Sequence, residues 1–230
     1  MKVNILFFGS SANSLIVKNA LIKAGYTLSV YNSANDRKRI YIRDLIISAD
    51  YGKKLPSGGL NLHPSFLPKY RGPTPVPQQI LNNEKESGIT IIKMTDQFDA
   101  GPIIAQEKVP ILPNDTTPDL LKRCFTSGAK LLIKILPDYL NNKITQKIQN
   151  ESQATYTRKF SKADGFISWE EFKAGAPERK IRAFFPWPGV WTTMPNNKIL
   201  KLLPKNMFQL EGKQPITRKQ FEAGYGQLLT

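Results

Sequence analysis

The chain has 230 residues, with 33 Lys and Arg against 18 Asp and Glu, a net charge of +15 and 40% hydrophobic residues. That length fits one medium domain with a small appendage, and the apolar share supports a real core. A single cysteine, Cys124, excludes a disulfide framework or a cysteine-based zinc site.

No apolar run reaches the ~18 residues that a membrane span needs. Ile5-Leu6-Phe7-Phe8 is too short for a signal-peptide core, and Gly9-Ser10-Ser11 ends it. A cytoplasmic monomer without membrane contact is the expectation. The basic excess is +9 over residues 1–150 and +6 over residues 151–230. A charge spread in this way suits a polyanionic partner; a generally lysine-rich proteome is the plain alternative.

Lys2–Phe8 reads as a short apolar strand, followed by a turn at Gly9-Ser10-Ser11. Ile16, Ala20 and Ala24, with Val17 and Leu21 beside them, predict a helix that Gly25 stops. Tyr26–Tyr31 reads as a second strand and Asn32–Arg43 as a polar loop or short helix. Asp44–Ala49 is a third strand, closing at Asp50-Tyr51-Gly52, and Lys53–Leu60 turns at Ser57-Gly58-Gly59.

Leu60–His63 is an extended segment that carries the only histidine of the chain. Asn61 and His63 stand two apart and so share a face. Pro64 keeps His63 extended. An amide can stabilise an oxyanion and an imidazole can manage a proton, which together suit acyl-group chemistry. Asp99, in Phe98-Asp99-Ala100-Gly101-Pro102-Ile103, is the candidate carboxylate to orient and charge that imidazole. Taken singly, a lone His is more often a surface or satisfied core residue, and an Asp before Ala-Gly a turn residue.

The proline-rich run 72–77 reads as irregular, and a helix is expected over Gln78–Asn82. Gly88–Met94 alternates and is β-branched, hence a strand, and Ile103–Ile111 reads as another with its continuation. Thr117-Pro118-Asp119 predicts a helix start with Thr117 as cap. The apolar spacing from Leu120 to Leu136, Cys124 included, marks a core helix limited by Pro137. Lys143–Gln153 is polar and reads as a boundary. Beyond it, Tyr156–Lys162 and Phe166–Trp169 look strand-like, and Pro177–Phe184 is a short basic helix. Val190–Met194 and Lys198–Leu203 form a hairpin, and Trp187 and Trp191 are expected to pack. No metal-ligand cluster is evident.

The length of the central motif outweighs the plain readings. Asn61-Leu62-His63-Pro64-Ser65-Phe66-Leu67-Pro68-Lys69-Tyr70-Arg71-Gly72, followed by Asp99-Ala100-Gly101-Pro102-Ile103, resembles the 10-formyltetrahydrofolate-dependent formyltransferases. Tyr70–Asn82, and the run Lys180–Gly189 that contains Arg182-Ala183-Phe184-Phe185-Pro186-Trp187-Pro188-Gly189, most resemble the methionyl-tRNA formyltransferases. The resemblance implies an α/β fold. Its catalytic part is a Rossmann-like domain with a mostly parallel sheet over residues 1–143. A linker over 144–153 and a reduced, oligonucleotide-binding-type β domain over 154–230 follow. It implies Asn61, His63 and Asp99 as catalytic residues. Ser65, Phe66, Leu67 and Pro68 would lie along the folate largely through backbone groups, with Tyr51 and Gly52 lining its pocket. It implies 10-formyltetrahydrofolate as co-substrate, no metal, and initiator methionyl-tRNA as acceptor.

The chain departs from that pattern in three places. A strand and helix before Asp44 are missing, the segment between Gly52 and Asn61 is short, and the C-terminal barrel lacks strands. Glycinamide ribonucleotide and sugar-nucleotide N-formyltransferases share the Asn–His–Asp set and remain alternatives, as does a non-catalytic RNA-binding descendant.

Overall fold

The computed structural model describes residues 4–31, 45–175 and 177–226. The expected loop over 32–43, and Asp44, lie outside the described residues. The chain divides into two compact units.

The first unit comprises residues 1–75, 85–111 and 121–158. Its sheet contains β1 (Ile5–Phe8), β2 (Leu28–Tyr31), β3 (Leu45–Ala49), β4 (Leu60–His63), β5 (Glu86–Lys93) and β6 (Ile103–Pro110). The spatial order is β2-β1-β3-β4-β5-β6. The first four strands run parallel and the last two antiparallel to their neighbours. β1, β3 and β4 are almost wholly buried, as continuous apolar runs in a covered parallel sheet must be. Helix α1 (Ala12–Lys23) connects β1 to β2. The Ser11 side chain accepts from Ser14 N at its start, and Gly25, at φ 86°, follows its end.

Helix α2 covers Pro75–Leu81, starting earlier than the prolines suggest. Prolines in a first turn lose no hydrogen bond, since those N–H groups have no intrahelical partner. Helix α3 (Thr117–Leu140) runs through Pro137, which was expected to end it. Pro137 falls in the last turn, and its carbonyl still accepts from Asn141 N while Asn142 N donates to Tyr139 O. Thr117 is not the cap. Its hydroxyl donates to Ala183 O, while Asp119 accepts from the Thr116 N–H and hydroxyl. Gly128 brings α3 close to the sheet: a Cβ there would lie 2.6 Å from Ile89 Cγ1 and 3.2 Å from Leu62 Cδ2. Leu62 alternates with Asn61 and His63, so α3 covers the face opposite those two.

The second unit comprises residues 76–84, 112–120 and 159–230. An antiparallel meander of β7 (Val190–Thr193), β8 (Ile199–Leu203), β9 (Met207–Leu210) and β10 (Ile216–Thr217) is ordered β10-β9-β8-β7. β7 and β10 are its two edges, so these strands make an open sheet. Helices α4 (Trp169–Ala174), α5 (Glu178–Phe184) and α6 (Arg218–Tyr225) belong to the same unit. Phe172, Phe208, Phe221 and Tyr225 form an aromatic core, with Phe221 contacting the other three. The strand-like stretch 166–169 contributes one bridge, Phe166 to Trp191, before α4 begins. The capping box Ser168/Glu171 starts that helix, and Thr217/Gln220 starts α6 in the same way. Trp191 packs as expected, donating to Lys162 O and stacking near Phe166, whereas Trp187 is 62% exposed.

Gly128→Ala is expected to lower stability by about 1–3 kcal/mol, the cost of overpacking a filled contact. Urea unfolding of the two proteins side by side measures it.

Candidate active site

β4 ends the parallel part of the sheet and pairs antiparallel with β5, and this junction carries the polar side chains. His63 faces Thr90, which faces Gln106 on β6, so the three form one cross-strand row. Asn61 sits two pairs earlier, opposite Ile92. Asn61 and His63 are thus on the same face, ~7 Å apart along the strand at the usual rise per residue.

His63 is buried, at 4% exposure. Its Nε2 donates to Tyr70 O at 2.9 Å, and its Nδ1 lies 3.4 Å from Asp99 Oδ1. Both ring nitrogens therefore face oxygen atoms, one from the main chain and one from a carboxylate. Asp99 Oδ2 accepts from Gly72 N at 2.9 Å. Asp99 itself adopts a left-handed backbone (φ 55°). Gly101 locks the turn after it, because a Cβ there would sit 1.8 Å from Lys93 O. His63 and Asp99 are thereby brought together across 36 positions of sequence. Asn61, half-buried on the same face, has no side-chain hydrogen-bond partner among the described residues.

The loop after His63 is pinned by Thr90 and Gln106. Thr90 Oγ1 donates to Ser65 O and accepts from Leu67 N, and Gln106 Nε2 donates to Leu67 O and to Thr90 Oγ1. Ser65 N donates to His63 O, and the Ser65 hydroxyl donates to Lys69 O. Pro68 O accepts from Thr155 N. The backbone of Ser65 and Leu67, expected to face a ligand, is already engaged. The Leu67 side chain packs with Ile92 and Ile103. Phe66 is the exposed member of the run, at 40%. Tyr51 packs against Phe8, and its hydroxyl is a buried polar atom with no partner among the described residues. Gly52 follows at φ 68°.

Several site residues carry no obvious label in the sequence. Arg71 is 1% exposed, and its guanidinium pairs bidentately with Glu151 at 2.7 and 2.8 Å. Gln149 Oε1 accepts from Arg71 Nε and Nη2, and Tyr156 Oη accepts from Nη1. Gln149 and Glu151 fall in the stretch 144–153 read as a linker. The stretch from Tyr156, read as strand-like, forms only a bridge beside Arg71, with Thr157 N donating to Arg71 O. Its neighbour is an irregular loop, which offers no ladder. Glu151 holds the Arg71 guanidinium above its ordinary range, and Arg71 holds the Glu151 carboxyl below its own. Thr90, Gln106 and Gln149 could be found only through pairing register and the fold.

The chain matches the family model described as "Formyl transferase" over residues 16–158 and "Formyl transferase, C-terminal domain" over residues 159–218. It belongs to the formyl transferase family. Among curated relatives of this family member, methionyl-tRNA formyltransferase of Roseiflexus castenholzii is 42% identical over 158 residues, covering 65% of this chain and 50% of the relative. The Treponema denticola protein of the same name is 32% identical over 218 residues, covering 90% and 67%. The chain thus spans only half to two thirds of these relatives. Solved structures share the fold. HypX from Aquifex aeolicus in complex with tetrahydrofolic acid aligns with a TM-score of 0.74 at 19% identity, over 88% of this chain and 37% of that one. WlaRD, a sugar 3N-formyl transferase, aligns with a TM-score of 0.68 at 20% identity, over 93% and 100%. Among the described residues no helix is long and apolar enough to cross a membrane, and no cluster of metal-ligating side chains occurs.

Because Arg71 depresses the Glu151 carboxyl, the pair stabilises the fold above the unfolded glutamate range, and that contribution is lost as pH falls through the lower folded value. Glu151→Gln is therefore expected to flatten the acid limb of stability against pH while changing its neutral-to-alkaline part little in slope. Thermal melts across the acid range test it.

Proposed function

We propose that this chain transfers a formyl group from 10-formyltetrahydrofolate to an amine, and that the amine is that of initiator methionyl-tRNA. The observation that supports the reading is the His63–Asp99 contact beside β4, with Asn61 on the same strand face as His63 and its amide without a side-chain partner among the described residues. As the amine attacks the formyl carbon, negative charge grows on the formyl oxygen. The Asn61 amide donates to that oxygen, and His63 does so when Nδ1 leaves Asp99. Asp99 takes the proton released by the new nitrogen–carbon bond, and His63 returns one to the departing folate nitrogen. The 3.4 Å separation of Nδ1 and Oδ1 leaves that exchange loose, as catalytic pairs are without substrate.

For the co-substrate, the Tyr51 hydroxyl, which has no partner among the described residues, and the exposed Phe66 ring are the groups assigned to meet it. Thr90 and Gln106 hold the Leu67 backbone next to Phe66. The tRNA acceptor is supported by the names of the relatives and by the net charge of +15. Exposed Trp187 adds a surface on which a base could stack. Within α5, Arg182 donates to Asp115 O and Lys180 to Phe166 O, so these two basic residues serve the fold as well. A sugar-nucleotide or glycinamide ribonucleotide acceptor is the second reading, favoured by the short segment between Gly52 and Asn61 and by the fold match to WlaRD over 93% of this chain.

His63→Ala and Asp99→Asn are each expected to reduce formyl transfer on the order of a hundred-fold or more. Near-wild-type turnover in either removes its role. Binding of initiator tRNA is expected to weaken with salt, by a slope of ~0.7–0.9 log units per phosphate neutralised. Salt-insensitive binding, with faster turnover of amino-sugar nucleotides, would select the second reading.

A further inference from the structure

The turn that carries Asp99 is held by one buried side chain far along the sequence. Gln149 is 5% exposed, and all of its hydrogen-bonding capacity is used. Nε2 donates to Asp99 O at 2.8 Å and to Gly101 O at 2.7 Å. Oε1 accepts from Arg71 Nε at 3.1 Å and Nη2 at 2.8 Å. The orientation of this amide is settled by chemistry, since a guanidinium only donates and a carbonyl only accepts. Gln149 therefore ties Arg71 to the Asp99 turn. The neighbours of Arg71 complete the circuit: Tyr70 O receives His63 Nε2, and Gly72 N donates to Asp99 Oδ2.

We infer that Gln149 is a positioning residue for the His63–Asp99 pair, holding the left-handed Asp99 backbone where Oδ1 faces the imidazole. Nothing else among the described side chains donates to both Asp99 O and Gly101 O. Without those two donors the Asp99 and Gly101 carbonyls lose the side chain that joins them, and the turn is left to the Gly72 contact, the imidazole and the Lys93 N–H on Pro102 O. In kinetic terms the inference rests on the formyl-transfer reading; in structural terms it does not.

Gln149→Glu separates the two grips. Its carboxylate still accepts from Arg71, but it cannot donate to the two carbonyls. Because His63 is the only histidine, ¹⁵N-histidine NMR reads its two ring nitrogens directly. In Q149E the Nδ1 signal is expected to move while Nε2, held by Tyr70 O, moves less. The value of kcat is expected to fall by up to about a hundred-fold, the cost of a roughly 1 Å misplacement, with KM for the folate little changed. Lys108→Gln, in the exposed pair with Glu86, should move neither. Gln149→Met, which removes both grips, should disturb both ring nitrogens.

An unchanged histidine spectrum in Q149E overturns the inference. So does a loss confined to KM, or the failure of both Gln149 variants to fold, which would make the residue a scaffold element. If the wild-type chain transfers no formyl group, the functional reading falls and the histidine spectrum alone decides the positioning role.

Discussion

A guanidinium shut away from water must have its donors matched, and in this protein that requirement organises the site. Arg71 has lost almost all of its exposure, so its N–H groups need oxygen partners or the fold bears a large desolvation penalty. Gln149, Glu151 and Tyr156 supply them, from nearly 80 residues later. Meeting this need draws the end of the first unit alongside the loop after β4. That in turn stations Tyr70 O and Gly72 N, the two backbone groups that hold His63 and Asp99. The charged pair at the surface end of this arrangement, Arg71 with exposed Glu151, contributes less than the need to keep the buried end satisfied.

The change from parallel to antiparallel pairing at β4 and β5 has a chemical consequence. It sets His63, Thr90 and Gln106 in one row. The second and third members spend their polar atoms on the loop that follows the first, and Leu67 is drawn into the core beneath it. Among the described residues, the side chains left over beside it are the half-buried Asn61 amide, the exposed Phe66 ring and the buried Tyr51 hydroxyl. A sparse set of available donors over a satisfied, low-dielectric support is what a site needs if each donor is to act strongly and in one direction.

Much of the framework was readable in the residues. The β-branched run of β5, the apolar stripe of α3 and the extended Leu60–His63 segment all declare themselves by period. The helices that start at the Ser168/Glu171 and Thr217/Gln220 capping boxes went unpredicted, the first behind the aromatic, strand-like composition of 166–169. Prolines misled at the start of α2 and the end of α3. Pro75 and Pro77 lie in a first turn and Pro137 in a last one, where the missing N–H costs little.

By itself the sequence determined the shared face of Asn61 and His63 and the family to which the chain belongs, because these depend on identity and local spacing. Only the tertiary structure decided which carboxylate oxygen faces the imidazole, that the Leu67 side chain packs with Ile92 and Ile103, and that a glutamine in an apparent linker ties Arg71 to Asp99. Those outcomes follow from register across strands and from the need to pair every buried donor, neither of which leaves a local mark on the chain.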